Sequence, residues 1–170
     1  MDQITIRNMQ VEEYATLKDL LYEAIYVPPG DAPPPRSVAD RPELRVYFQG
    51  FGSGPLDRAL AAVDGSRVVG SVWCRLMDDY GHIDDETPSL AAALYPEYRG
   101  QGIGTDLVKI FIGVMEEKNY PNMFIMTSQF NTGAKRLYQS LGFQPKCLLH
   151  DVIRKGVSEW LFMRPNRKLA

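Results

Sequence analysis

The 170-residue sequence predicts an α/β (α+β) chain in the order β-α-α-β-β-β-α-β-α-β-β, and three stretches carry that prediction. An apolar run from Leu90 to Tyr95 stops at Pro96, passes through Gly100, Gly102 and Gly104, and leads straight into a helical pattern. That pattern is Ile103, Leu107, Ile110, Phe111, Val114 and Met115. A second helix shows in Ala134, Leu137, Tyr138 and Leu141, at i, i+3, i+4 and i+7, with Gly142 placed to end it and Phe143 to open a strand. Asp64-Gly65-Ser66 separates Arg58 to Val63 from Arg67 to Met77, a tight-turn signal that predicts a hairpin.

The other elements follow in order. Gln3 to Met9 alternates, with Ile4 and Ile6 on one face, and reads as the first strand. A helix follows, with Tyr14, Leu17, Leu21, Ala24 and Ile25 as its apolar stripe and Glu12 and Glu13 at its start, where negative charge is favourable. Val27 to Arg36 holds five prolines. Only 26 residues precede it, too few for a domain, so it reads as a stiff surface loop within one fold. Pro42 to Gly50 predicts a short second helix capped by Asp40. In the second hairpin arm Val68, Gly70, Val72, Cys74 and Leu76 share a face, opposite Trp73 and Arg75. Pro88 to Tyr95 is the fourth strand and Met123 to Thr127 a buried fifth. Phe143 to Leu149 and Ser158 to Met163 close the sheet as a pair.

Composition bounds the reading. With 45% apolar residues the chain can bury a core, and residues 1–170 read as a single domain. Nineteen basic and 21 acidic residues leave a net charge of −2, which gives no electrostatic reason to expect nucleic acid. No apolar run approaches membrane-spanning length, and no basic-then-apolar leader follows Met1, so no membrane partner is expected. Cys74, Cys147, His82 and His150 are too few for a disulfide framework or a zinc site. The expected address is the cytoplasm, with both cysteines reduced. Asp78 to Glu86 carries five negative charges and no positive one. It reads as a solvated connection, or as a field that draws in a cationic amine.

A strand, a glycine turn and a helix start suit a phosphate, because unobstructed amides point outward and the helix dipole adds about half a positive charge. Arg99 adds a full charge at the lip. Two familiar phosphate loops fit poorly. Gly104 is followed by Thr105 and Asp106 with no Lys, unlike a P-loop. The spacing G-x-G-x-G departs from the dinucleotide fingerprint G-x-G-x-x-G.

What the stretch resembles is the Arg-x-x-Gly-x-Gly pyrophosphate signature of the GNAT superfamily of acyl-CoA-dependent N-acyltransferases. Asn131 to Phe143 is similar to that superfamily's second signature, Asn-x-x-Ala-x-x-Leu-Tyr-x-x-x-Gly-Phe, at every fixed position. Asn131 and Tyr138 lie seven apart, about two turns and roughly 10 Å along one helix face, a spacing that flanks an extended arm. Each residue also has a plain structural use: Asn131 as helix cap, Tyr138 as core aromatic, Gly142-Phe143 as helix stop. The two signatures in order, with a helix and a strand between them, are the specific signal. The resemblance covers almost the whole chain and implies a central mixed, mostly antiparallel sheet of about seven strands with flanking helices.

The resemblance also implies where a coenzyme would lie. The pyrophosphate of acetyl-CoA would rest on the amides of Gln101, Gly102, Ile103, Gly104 and Thr105, after Gly100 and with Arg99 nearby. The pantetheine arm would run past Leu94, Tyr95, Asn131, Ala134 and Tyr138, where the fourth and fifth strands splay apart. A backbone N–H near Leu94 would polarise the thioester carbonyl. Tyr138 matches the family's general acid, which returns a proton to the leaving thiolate.

An alkylammonium has an ordinary pKa near 10, so something must also take the amine's proton. The family often puts a Glu or His on the fourth strand for this, and Ser89 to Ala93 offers neither. Glu86, just before the strand, is a candidate base, with relayed water, His150 or Asp151 as others. Glu97 reads as structural. The acceptor pocket is expected between Tyr26 to Arg36 and His150 to Gly156, with Tyr26, Arg36, His150 and Asp151 as substrate contacts. The resulting expectation is an N-acetyltransferase acting by direct attack in a ternary complex on a small-molecule, peptide or protein amine, with a homodimer allowed. The alternative is an acyl-CoA sensor without catalysis.

Overall fold

The computed structural model describes residues 3–77, 82–150 (His150 by its backbone) and 158–168. Its seven strands are β1 (Thr5–Asn8), β2 (Arg58–Asp64), β3 (Arg67–Arg75), β4 (Ser89–Leu94), β5 (Asn122–Ser128), β6 (Gln144–His150) and β7 (Ser158–Pro165). The α-helices are α1 (Leu17–Ala24), α2 (Pro42–Arg45), α3 (Ile103–Glu117) and α4 (Thr132–Ser140). The strands form one sheet in the order β1-β2-β3-β4-β5-β7-β6, in which β4 and β5 run parallel and every other neighbouring pair is antiparallel. The mixed, mostly antiparallel architecture and its element order are as the sequence predicts.

Both sheet faces are covered. On one, Leu107, Val108, Phe111 and Met115 of α3 and Tyr138 of α4 pack on Val72, Cys74, Leu90 and Ile125. On the other, Leu17, Leu20 and Leu21 of α1, with Leu44 and Tyr47, pack on Ala61, Trp73, Ala91 and Ala93. Apolar side chains on both sides of β3 and β4 explain why those strands read as near-continuous hydrophobic runs.

Several expectations need correction. Register shifts between Ala62 and Val63, so Val69 joins Val72 and Cys74 against α3, while Val68 turns to the α1 side. Strict alternation assigned Val68 to the α3 face; the bulge flips the strand locally. Ile110 is 47% exposed, whereas Val108 and Ile112 are buried, so the α3 stripe is rotated from the predicted one. The first helix begins with a 3₁₀ segment, Val11–Thr16, before α1. Asp40 does not cap α2. Arg41 does, extended and with no side-chain bond, because a residue preceding proline is pushed out of the helical region. α2 ends at Arg45 and continues as single turns to Gly50, at φ +63°. Of the acidic stretch Asp78 to Glu86, residues 78–81 lie outside the described residues, and residues 82–86 are exposed.

Candidate active site

The two strands that run parallel barely touch. β5 is in register with β4 only at Ser89 and Leu90, and beyond that point it follows β7 along its whole length. Tyr95 donates its N–H to the Val69 carbonyl at 3.0 Å, on the β3 side. Alternation along a strand then turns the amides of Ala92 and Leu94 the other way, towards the space β5 has left. A cavity of about 640 Å³ fills that space. Its wall includes Leu107, Val108 and Tyr138 from one sheet face and Leu21, Leu44 and Tyr47 from the other, so it passes through the sheet at the splay.

The glycine turn borders this cavity. Gly100 and Gly102 sit at φ +74° and +83°, which L side chains rarely adopt, and a Cβ at either would meet nothing within 4 Å. The space over the turn is therefore open for a ligand. Gly102 is the N-cap of α3, and Asp106 makes the first return bond, onto the Gly102 carbonyl at 3.1 Å. The amides of Ile103, Gly104 and Thr105 belong to the helix's unbonded first turn. Arg99 and Gly104 bring the turn to the cavity wall.

Arg99 is already engaged. Its Nε donates to the Leu94 carbonyl at 3.1 Å, and a terminal nitrogen lies 3.0 Å from a carboxylate oxygen of Glu23 at the end of α1. Gln101 donates its side-chain amide to the Glu97 carbonyl, and the exposed Glu97 carboxylate pairs with Arg67 at 3.1 Å. Tyr95, expected beside the coenzyme, instead spends its amide on β3 and lays its ring near Arg67, outside the cavity wall.

Asn131 both caps and faces the cavity. Its Oδ1 accepts the N–H of Ala134 at 3.2 Å, which leaves the amide NH₂ as a donor. Ala134, Leu137 and Tyr138 line the same wall. Tyr138 is buried against Phe143 and Phe162, with ring centroids 5.9 and 6.3 Å away. Burial pushes its phenol up to about 12, so the hydroxyl keeps its proton throughout the neutral range.

The remaining expected residues divide. Tyr26 lines the cavity, and beside it the Tyr22 hydroxyl donates to the Pro34 carbonyl at 2.5 Å, pinning the proline loop to α1. Arg36 lies on the outer side, 4.3 Å above the Tyr22 ring and 3.5 Å from Glu23, and does not line the cavity. Glu86 is exposed in the turn before β4 and is also absent from the wall. Asp151 and the side chain of His150 lie outside the described residues. Sequence reasoning missed Glu23, Tyr47 and Glu159, all on the wall. Glu159 opposes Ser128 across β5 and β7, a register that only strand pairing sets.

The splayed strand pair and the glycine-capped helix both lie within the stretch matched by a known family model. The chain belongs to the acetyltransferase (GNAT) family, whose model matches residues 20–143. It is 31% identical over 85 residues to N-alpha-acetyltransferase 30 of Schizosaccharomyces pombe, covering 50% of this chain and 56% of the relative. It is 28% identical over 100 residues to N-acetyltransferase 8 of Rattus norvegicus, covering 59% of this chain and 43% of the relative. The chain thus spans about half the length of these curated relatives. Among solved structures, the ribosomal-protein-S18-alanine N-acetyltransferase of Escherichia coli superposes with a TM-score of 0.68 at 14% identity, over 96% of this chain and 94% of that one. The NatC complex bound to Gag peptide and CoA gives 0.67 at 20% identity, over 97% and 99%. At these identities the likeness speaks for the fold.

Proposed function

We propose that this protein is an acyl-CoA-dependent N-acetyltransferase that passes the acetyl group of acetyl-CoA to a primary amine, with both substrates bound at once. The observation that supports this best is the cavity through the β4–β5 splay, with the Ala92 and Leu94 amides on one edge and the α3 glycine turn beside it.

In this reading the amides of Gly102 to Thr105 and the Arg99 guanidinium hold the pyrophosphate. The Asn131 amide and the Leu94 backbone hold the thin arm that follows. The Leu94 N–H faces the carbonyl to be polarised, and its alignment in a water-poor gap makes it effective there. Bound acetyl-CoA supplies an activated thioester. Tyr138, held protonated by burial, donates to the departing sulfur.

The acceptor enters from the α1 side, past Tyr26 and the pinned proline loop. Those walls are apolar and aromatic, which suits an amine carried on an apolar body. Since one relative is an N-alpha-acetyltransferase and one structural neighbour holds a peptide, peptides with a free N-terminus come first as acceptors. The cytoplasm is part of the same proposal.

The test is a panel of N-terminal peptides, polyamines, amino acids and aminoglycosides, scored for free CoA thiol at pH 8. Amine-dependent thiol release is expected for at least one class. Stabilisation by acetyl-CoA without thiol release from any amine would replace the enzyme with a non-catalytic acyl-CoA sensor.

A further inference from the structure

Glu23 is one carboxylate shared by two cations that belong to different parts of the cavity's surroundings. It sits in the last turn of α1, which has no basic residue of its own, at the helix end where the dipole disfavours negative charge. Its side chain is only 13% exposed, so water does little to hold the charge there. The partners come from outside the helix. A terminal nitrogen of Arg99 lies 3.0 Å from one carboxylate oxygen and donates to the Glu23 main-chain carbonyl at 3.1 Å. Arg36 approaches the other carboxylate oxygen at 3.5 Å.

Arg36 is the looser of the two. Its side chain is 64% exposed, lies 4.0 Å from Asp19, and rests 4.3 Å above the Tyr22 ring. The Tyr22 hydroxyl holds the Pro34 carbonyl, and Pro33 and Pro34 line the cavity. Arg36 does not line it, yet it anchors the segment that does. Three consecutive prolines with fixed φ, Pro33 to Pro35, carry a shift at Arg36 back to that wall.

A pyrophosphate on the glycine turn alters the sharing. Phosphate and carboxylate then contend for one guanidinium, and like charges that close repel. Among the described residues, Arg36 is the other cation paired with Glu23. We infer that Glu23 is a positioning residue that couples the two substrates: the pyrophosphate takes Arg99, and the displaced carboxylate closes on Arg36 and fixes the proline loop for the acceptor. The inference rests on the acetyl-transfer reading above. No bond forms or breaks; ion pairs are exchanged. By linkage the coupling is reciprocal, so an acceptor seated on the fixed loop tightens the coenzyme by the same factor.

The experiment is calorimetric titration of CoA, which supports no turnover, into the intact protein, Glu23→Gln, Arg36→Met and the variant carrying both changes. Each is titrated with and without the best acceptor of the panel. In the parent the acceptor is expected to tighten CoA about two- to fivefold, the range of a partly exposed ion pair. In Glu23→Gln, CoA alone binds about threefold tighter because nothing contests Arg99, while the acceptor no longer changes that affinity and its own KM rises. In Arg36→Met, CoA alone binds about threefold more weakly, because the carboxylate is left wholly to Arg99. The double variant matches Glu23→Gln. A merely structural role would weaken both substrates in both single variants. An acceptor that leaves CoA affinity unchanged in the parent, or a Glu23→Gln that keeps the parent's factor, overturns the coupling and leaves the acetyl-transfer reading standing. A parent that releases no thiol with any amine overturns that reading and this inference with it.

Discussion

A terminal nitrogen of Arg99 lies 3.0 Å from the carboxylate of Glu23, which ties the basic residue of the glycine turn to the last turn of α1. The same carboxylate reaches Arg36 of the acceptor-side loop at 3.5 Å. Glu23 therefore stands on the cavity wall between the glycine turn and the proline loop, and it would compete with any phosphate for Arg99. Arg99→Ala should weaken acetyl-CoA binding about tenfold or more, since a charge-assisted contact disappears. Glu23→Gln should tighten it a few-fold, with a steeper salt dependence, because the competing charge is gone. Calorimetric titration at two ionic strengths checks both directions.

Tyr138→Phe removes one hydroxyl from a buried ring and keeps its packing on Phe143 and Phe162. Thiol release should slow by about a hundredfold while acetyl-CoA affinity stays level. Because burial raises the phenol to about 12, it loses no proton below pH 10 and should impose no alkaline loss of rate there. The fold has the same sign of dependence. An acid whose folded-state value is raised contributes stability fully present below its unfolded value near 10 and lost as pH rises towards 12. Stopped-flow thiol detection between pH 7 and 10 measures the rate, and alkaline denaturation of Tyr138→Phe beside the parent measures the stability term.

Gly70 opposes Leu94 in the β3–β4 ladder. A Cβ there would come 2.9 Å from the Ala93 carbonyl oxygen and press into the Leu94 side chain. Gly70→Ala should cost about 1–3 kcal/mol and lower Tm by several degrees. It should also raise KM for acetyl-CoA, since the strand it displaces holds the Leu94 amide. Thermal melts and steady-state kinetics on one preparation test the pair of effects.

Asp57 is buried, and its Oδ2 lies 3.1 Å from Arg75 and accepts the N–H groups of Gly52 and Gly54. Arg75→Met would strand that carboxylate and should destabilise the fold by about 3–5 kcal/mol. Arg67→Met, at the exposed pair with Glu97, should cost less than about 1 kcal/mol. Urea midpoints of the two variants give the contrast.

Local chemistry made much of this protein readable as a string. Gly100, Gly102 and Gly142 stand where φ is positive, Asn131 stands where an orphan amide needs a cap, and the apolar spacing of residues 134–141 could only be helical. These are demands a residue meets within a few neighbours, so the order of elements followed from them, while the family came from the resemblance of two short signatures to known ones.

What the string left open depends on partners distant along the chain. The bulge that exchanges Val68 for Val69, the commitment of Tyr95 to β3, and the distance of Arg36 and Glu86 from the cavity all arise from strand pairing and packing. So does the presence of Glu159 on the wall. No motif marks it, because its place comes from a cross-strand register with Ser128, more than thirty positions earlier in the sequence, and not from anything beside it. Spacing specified what each segment could do alone; only the folded sheet decided which side chains share a cavity, because a sheet joins residues by hydrogen bonds between strands, not by adjacency.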